Sequence, residues 1–304
     1  MDKIMADGSQ YITILRDPIF QFESSFHYFE FNKMLGMWNK TNPIETFLTA
    51  PDNYLMNLTE LRGDLPETMN LVQNGMFYDL GYDFLDLSEE DAVRRVIEKL
   101  ERDLKLVLIM EHFDESLVLL MHEMCWDFDD ILYIKQNERS NKHSLSETTK
   151  DQIRKWNRAD SMLYEHFNKT LWKKISKYGS QFWKDLSEFK RKNNQLKRNC
   201  SPEKITIKGY KINVDISSFV MNPKVNPYHR YLCKKTLKTE VEYLRYFRRK
   251  LGLNFGYQKI LMAEGLRNIT RSNSLNKRLK RLHRSPKFLF KKRKYNFLFD
   301  LCIF

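Results

Sequence analysis

Residues 11–29 read YITILRDPIFQFESSFHYF. With Gln10 before it, the start of this stretch, QYITILR (10–16), is β-branched and aromatic, the make-up of a buried strand. Asp17-Pro18 then opens a helix. A short carboxylate suits the cap, and proline suits the first helical position, where no backbone N–H is needed. From Ile19 onward the apolar residues recur at helical spacing. The chain therefore begins strand, tight turn, helix.

The same grammar returns further on. Ser88 with Asp91 resembles a capping box, and it opens a helix running to about Leu104 with Val93, Val96, Ile97 and Leu100 on its apolar face. KLVLIME (105–111) reads as a second strand. Asp114 is placed as the cap of the helix ESLVLLMHEMCW, and DILYIK (130–135) as a third strand. Strands alternating with helices predict a parallel sheet. Uninterrupted apolar strands fit a sheet covered on both faces. Elsewhere, residues 40–75 read as short helices and loops, and 136–150 as a loop. Residues 151–200 read as helical, with Trp156, Leu163, Phe167 and Trp172 on one stripe and Gly179 as a stop. Residues 201–230 read as irregular, and 237–265 as one or two helices broken near Gly252.

Composition sets the class. The 304 residues are 42% hydrophobic and 30% charged, which excludes wholesale disorder. There is no run of 18 apolar residues, and MDKIMADGSQ has no apolar signal-peptide core. Four cysteines are too few for a disulfide scaffold or a zinc ribbon. The net charge of +13 is unevenly spread. Residues 1–135 hold 11 basic and 26 acidic side chains, and residues 136–304 hold 41 and 13. Halves of opposite sign attract within one fold. Residues 265–304 alone carry 12 basic side chains against Asp300. Such a stretch suits nucleic acid or an anionic membrane, but a solvated tail is the preferred reading, because no RNA-binding or zinc-finger motif accompanies it.

The strongest chemical signal is Arg16-Asp17-Pro18 with Ser24 and Ser25 downstream. A helix N-terminus offers backbone N–H groups and the positive end of the macrodipole. An arginine at the end of the preceding strand adds a two-pronged donor, and a serine two turns along adds a hydroxyl. Together they describe a phosphate site. On its own, Arg-Asp-Pro is more often a surface turn.

The wider text resembles one family. YITILRDPIFQFESSFHYF is similar to the 3′-phosphate-binding segment of the galactose-3-O-sulfotransferases. FYDLGYD (77–83), LVLIMEHFDESLVLLMHEMCWDFDDILYIKQNER (106–139) and the SMLYEHFNKTLWKKI run (161–175) share the likeness. It continues more weakly through LCKKTLKTEVEYLRYFRRKLG (232–252) and covers roughly residues 10–265. The resemblance implies a sulfotransferase-like (P-loop-NTPase-like) α/β fold, a parallel sheet flanked by helices with a helical C-terminal half. It implies 3′-phosphoadenosine 5′-phosphosulfate as donor, no metal, and transfer to O3 of a terminal galactose on a glycolipid such as galactosylceramide, or on a glycan. Arg16 and Ser24 would hold the donor's 3′-phosphate. The Golgi membrane, luminal side, is the location it implies. The family's second donor motif is a strand followed by a Lys-Thr-rich turn opening a helix, and it finds no counterpart before residue 10. The chain thus reads as lacking the first βα unit and the membrane anchor. Its division is residues 1–265 as sulfotransferase domain and 266–304 as basic tail. The string Lys235-Thr236-Leu237-Lys238-Thr239 has no strand leading into it and is set aside.

Three alternatives to this site are weaker. Glu111, His112, Asp114 and Glu115 cluster at a strand end, where open α/β sheets place catalytic groups. The preferred reading makes Asp114 a cap and His112 a partly buried strand-end residue. His122 and Cys125 are spaced i, i+3, but two ligands do not make a zinc site. The stripe Tyr164, Phe167, Trp172 is assigned to the core rather than to a sugar platform. No catalytic base is assigned. Sequons occur at Asn39, Asn57, Asn168, Asn199 and Asn268. Asn168 is the glycosylation candidate, because its H-F-N-x-[ST]-x-W setting matches the family. Cys200 and Cys233 are a possible pair in an oxidising lumen. Two other functions stay open: a donor-binding chain that transfers nothing, and, ranked last, a basic nucleic-acid-binding protein using residues 265–304.

Overall fold

A computed structural model of the chain describes residues 8–62, 67–82, 89–135, 138–139, 145–200, 202–208, 215–222 and 224–250. Residue 88 and residues 251–304 lie outside them. Ser88, the break near Gly252, Asn268 and the basic tail therefore lie outside the described structure.

Strand β1 (Tyr11–Leu15) pairs in parallel with β2 (Leu104–Ile109), with Ile12 opposite Leu106 and Leu15 opposite Ile109. The two quoted strands are thus neighbours, and both run the same way, as the alternation of elements requires. Helix α1 (Pro18–Tyr28) follows β1 directly. Then come α2 (Phe31–Met34), α3 (Pro43–Thr49), α4 (Pro51–Arg62), a 3-10 turn (Glu67–Val72) and α5 (Gly75–Asp79). Helix α6 (Glu90–Asp103) leads into β2, and α7 (Phe113–Glu123) leads out of it.

The third parallel strand expected at 130–135 does not form. Asp127 and Asp130 make a reciprocal capping box, in which each carboxylate accepts the other's backbone N–H, and this nucleates α8 (Phe128–Ile131). The cap takes Ile131 into the helix, and the Tyr133 N–H donates to Asn193 Oδ1 rather than to a neighbouring strand. A second correction concerns 201–230. Strands β4 (Glu203–Lys208) and β5 (Asp215–Val220) pair antiparallel, and β3 (Glu138–Arg139) joins β5's other edge. Helix α12 (Pro227–Thr236) follows, opened by proline at its first position. A third correction is that His112, not Asp114, occupies the cap of α7; Asp114 sits inside the first turn.

The helical stretch 151–200 divides into α9 (Glu147–Trp156), α10 (Arg158–Ser176) and α11 (Gly179–Cys200), with α13 (Glu240–Lys250) beyond α12. Gly179, at φ +59°, makes the left-handed turn between α10 and α11. Two cores result. Leu106, Leu108 and Ile109 of β2 pack with Leu117 and Val118 of α7, Leu163 and Phe167 of α10, and Phe182 and Phe189 of α11. Ile19, Phe22 and Phe26 of α1 pack with Phe31, Phe47 and Ile153 in the second. Helix α1 thus leaves the sheet and is tied into a separate helical layer.

A buried polar junction joins the two layers. Asp160 accepts the N–H groups of Met76 and Phe77, both at 3.1 Å, and so caps α5 from a distance. Asn157 Oδ1 accepts the N–H of Asn74, and Asn74 Oδ1 accepts that of Asp160. A disulfide joins Cys200, the last residue of α11, to Cys233 of α12, with Cα atoms 5.4 Å apart. The cross-link holds α12 against the first core.

Candidate functional site

The C-terminal ends of parallel strands are where open α/β sheets gather their ligands. Here β1 delivers Arg16 and Asp17 to that end, and β2 delivers Glu111 and His112 beside them. Asp17 is the N-cap of α1; its Oδ1 accepts the Ile19 N–H at 2.8 Å, and its carbonyl accepts the Gln21 N–H. Glu111 bridges two elements. Its Oε1 accepts the Asp17 N–H at 3.0 Å, and its Oε2 accepts the Tyr164 hydroxyl at 3.1 Å. Burial raises the pKa of Tyr164, and the nearby charges of Glu111 and Asp17 raise it further. The phenol therefore stays a donor throughout the physiological range.

This arrangement changes what the helix end can offer. Pro18 has no N–H, Ile19 spends its own on Asp17, and Asp17 spends its own on Glu111. Two carboxylates already answer the positive end of α1. Besides the Phe20 N–H, anion binding here would fall to side chains: Arg16, half-buried at the strand end, and Ser24, half-buried two turns along. Ser24 is seven residues from the cap, so it returns to nearly the same face, about 10 Å along the axis. Ser25, by contrast, is buried.

The remaining strand-end residues diverge. The His112 ring packs edge-on against Trp172, with centroids 4.8 Å apart. Asp114 accepts the Tyr133 hydroxyl at 2.9 Å, and Lys190 of α11 lies 3.5 Å from Glu115. Asp114 and Glu115 thus face α11, while Glu111 faces β1 and α10. His122 lies 3.0 Å from Asp185 and stacks on Tyr178; Cys125 is exposed beyond the helix, at φ +51°. Among the described residues no group of three or more His, Cys, Asp or Glu side chains is placed to hold a metal ion.

Sequence reasoning missed Tyr164. Its place on an apolar stripe assigned it to the core, where Phe167 is indeed buried. A tyrosine on such a stripe carries a polar tip that seeks a partner, and here the partner is Glu111. The Lys235–Thr239 string covers the end of α12 and the turn that precedes α13. Thr236 is buried and bonds the Leu232 carbonyl, while the Thr239 N–H donates to Glu242 in the first turn of α13. It is a helix–turn–helix corner with no strand before it. Asn168 lies mid-way along α10, half-buried, with Oδ1 enclosed.

Comparison with known proteins follows the same lines. A bovine (Bos taurus) galactosylceramide sulfotransferase is 32% identical over 275 residues, covering 84% of this chain and 62% of the relative. Human (Homo sapiens) galactose-3-O-sulfotransferase 2 is 37% identical over 177 residues, 58% of this chain and 42% of its own length. Mouse (Mus musculus) galactose-3-O-sulfotransferase 3 is 33% identical over 208 residues, 66% and 46%. The chain thus spans about three fifths of the length of the galactosylceramide sulfotransferases it matches. No solved structure matches it. The sequence model of galactose-3-O-sulfotransferase matches residues 1–251, and the chain belongs to that family.

Proposed function

We propose that this chain acts as a galactose 3-O-sulfotransferase. It takes 3′-phosphoadenosine 5′-phosphosulfate as donor and the O3 hydroxyl of a terminal galactose as acceptor, with galactosylceramide the favoured glycolipid. The observation that carries this reading is the family match across residues 1–251, together with the position of Arg16 at the end of a parallel strand that runs straight into α1. Arg16 and Ser24 hold the donor's 3′-phosphate. Arg16 supplies a charge-assisted fork and Ser24 a hydroxyl.

The chemistry makes one bond and breaks one. The galactose O3 attacks sulfur, the bond from sulfur to the 5′-phosphate oxygen breaks, and the hydroxyl proton passes to a base. Positioning and neutralisation of the leaving oxygen carry most of such a reaction. Glu111, held by Tyr164 and the Asp17 N–H, is a positioning residue. It fixes the strand end that presents Arg16. The disulfide between α11 and α12 suits an oxidising compartment, in keeping with a Golgi luminal location and glycosylation at Asn168. No helix of the described residues is long and apolar enough to cross a membrane.

A second reading rests on the Lys235–Thr239 string, which forms a helix corner rather than a strand-to-helix turn. In that reading the chain binds donor and transfers nothing. One experiment separates the two. Purified chain is given labelled donor and galactosylceramide, and binding of adenosine 3′,5′-bisphosphate is measured in parallel. Transfer supports the first reading; binding without transfer supports the second. Absence of both removes the donor site.

A further inference from the structure

Several exposed cations of the fold are neutralised locally. Arg94 pairs with Glu90, Lys150 with Glu147, Lys169 with Glu165 and Arg191 with Glu188, each within one helical turn. At the α12–α13 corner basic side chains outnumber acidic ones. Residues 227–250 hold eight Lys and Arg against two Glu. Arg245, Arg248 and Arg249 have no acidic partner among the described residues, and Arg249 Nε donates to the Arg245 carbonyl at 3.3 Å.

The same corner exposes apolar surface. Tyr231 is 72% exposed, Leu244 42% and Tyr246 38%. Lys238 Nζ lies 5.4 Å from the ring centroids of both Tyr243 and Tyr246, and Lys250 Nζ lies 5.9 Å from that of Tyr246. Cations thus flank the tyrosine rings on one side of α13, and the exposed Leu244 lies on the other side of its basic face. A solvated face has no use for an uncovered leucine and two open tyrosines. A site for a soluble polyanion uses the charge and the rings but not the leucine. A lipid surface uses all three, because tyrosine rings settle at the headgroup level, leucine enters the acyl boundary and basic side chains meet anionic headgroups.

We propose that the α12–α13 corner is a docking surface for an anionic lipid bilayer. The disulfide at Cys233 and the buried Thr236 anchor α12 to the first core, so the corner presents its charge from a fixed base. Docking of this kind does not depend on the sulfotransfer reading, and its test makes no use of activity.

The full chain is sedimented with vesicles of phosphatidylcholine alone and with about 30 mol% phosphatidylserine. Binding is expected only to the anionic vesicles and is expected to weaken with salt. The variant R245Q/R248Q/R249Q should lose roughly 100-fold in partition, about fivefold per cation. It retains every basic residue of 265–304, so unchanged binding would assign the attraction to that stretch and overturn the proposal. The variant L244S/Y246S keeps all charges and should also lose binding to vesicles, with heparin binding unaffected. Vesicle binding that survives L244S/Y246S, or that heparin or single-stranded RNA reproduces with the same sensitivity to both variants, points to a general polyanion site and overturns the lipid assignment. All the substituted side chains are half-buried or exposed, and a thermal melt checks that each variant remains folded.

Discussion

Tyr164 of α10 and Glu111 at the end of β2 meet across the sheet's edge, the phenol donating to Oε2 at 3.1 Å while Oε1 holds the Asp17 backbone. One carboxylate therefore couples α10 to the turn that presents Arg16. Tyr164→Phe removes the donor and leaves the ring in place. Stability should fall by only about 1 kcal/mol, the usual net worth of one such bond. Donor affinity should fall further than that loss implies, because the strand end is no longer fixed. The check is a chemical melt beside calorimetric titration with adenosine 3′,5′-bisphosphate. Affinity equal to wild type would mean that Glu111 and Tyr164 only brace the fold.

Arg16→Lys keeps the charge and loses the planar fork. If Arg16 grips a phosphate with two donors, the lysine variant should bind adenosine 3′,5′-bisphosphate about tenfold more weakly and the alanine variant about 100-fold more weakly, since hydrogen bonds to charged groups are worth roughly 1.5–3 kcal/mol. Adenosine 5′-phosphate, which lacks the 3′-phosphate, serves as control. It should bind all three proteins alike. Equal losses for both ligands would move Arg16 away from the 3′-phosphate.

The two parallel strands and α1 were legible because each carries its own signal: an uncharged β-rich run, then Asp17-Pro18. The strand expected at 130–135 failed for a reason also written in the text. Asp127 and Asp130 have capping-box spacing, and a box of two aspartates is a fainter signal than the apolar run that follows it. The β4–β5 pair was passed over although Lys204-Ile205-Thr206-Ile207-Lys208 alternates polar and apolar, because the run is short and its partner DISSFV (215–220) has no such alternation. At the site, Arg16 and Ser24 were singled out by their position along the chain, and Glu111 was noted at a strand end but set aside. Tyr164 was not singled out, because a contact between residues 53 apart has no local signature.

The disulfide gives a prediction about compartment. Cys200 and Cys233 are 33 residues apart and both are fully buried. Closing a loop of this size stabilises by about 3–4 kcal/mol through the unfolded chain. Cys200→Ser with Cys233→Ser should cost about that much. Protein from a reducing cytosol should melt earlier than protein from an oxidising lumen, and a reductant should shift only the latter. Identical melts with and without reductant would show that the bond contributes nothing to the native state.

Asp160 gives the sharpest dependence on pH. It is fully enclosed, and burial outweighs the two amide bonds from Met76 and Phe77, raising its pKa from 3.8 to about 7. A carboxyl with a raised folded pKa holds its proton longer in the native state than in the unfolded chain. Its contribution is therefore complete below about pH 4 and is lost as pH climbs to about 7; a rise of that size corresponds to roughly 4 kcal/mol at most. Carboxylates held by ion pairs, such as Glu123 beside Lys105, act in the opposite sense and below that window. Comparison with Asp160→Asn isolates the one group. The amide does not titrate, and it leaves one of the two N–H groups without an acceptor, which costs about 1–3 kcal/mol. Wild type should therefore be the more stable protein at pH 5, and its advantage should shrink steadily towards pH 7.5. Urea midpoints at half-unit steps would show this directly. Parallel profiles for the two proteins across that range would mean that Asp160 is ionised throughout and that its amide bonds outweigh its burial.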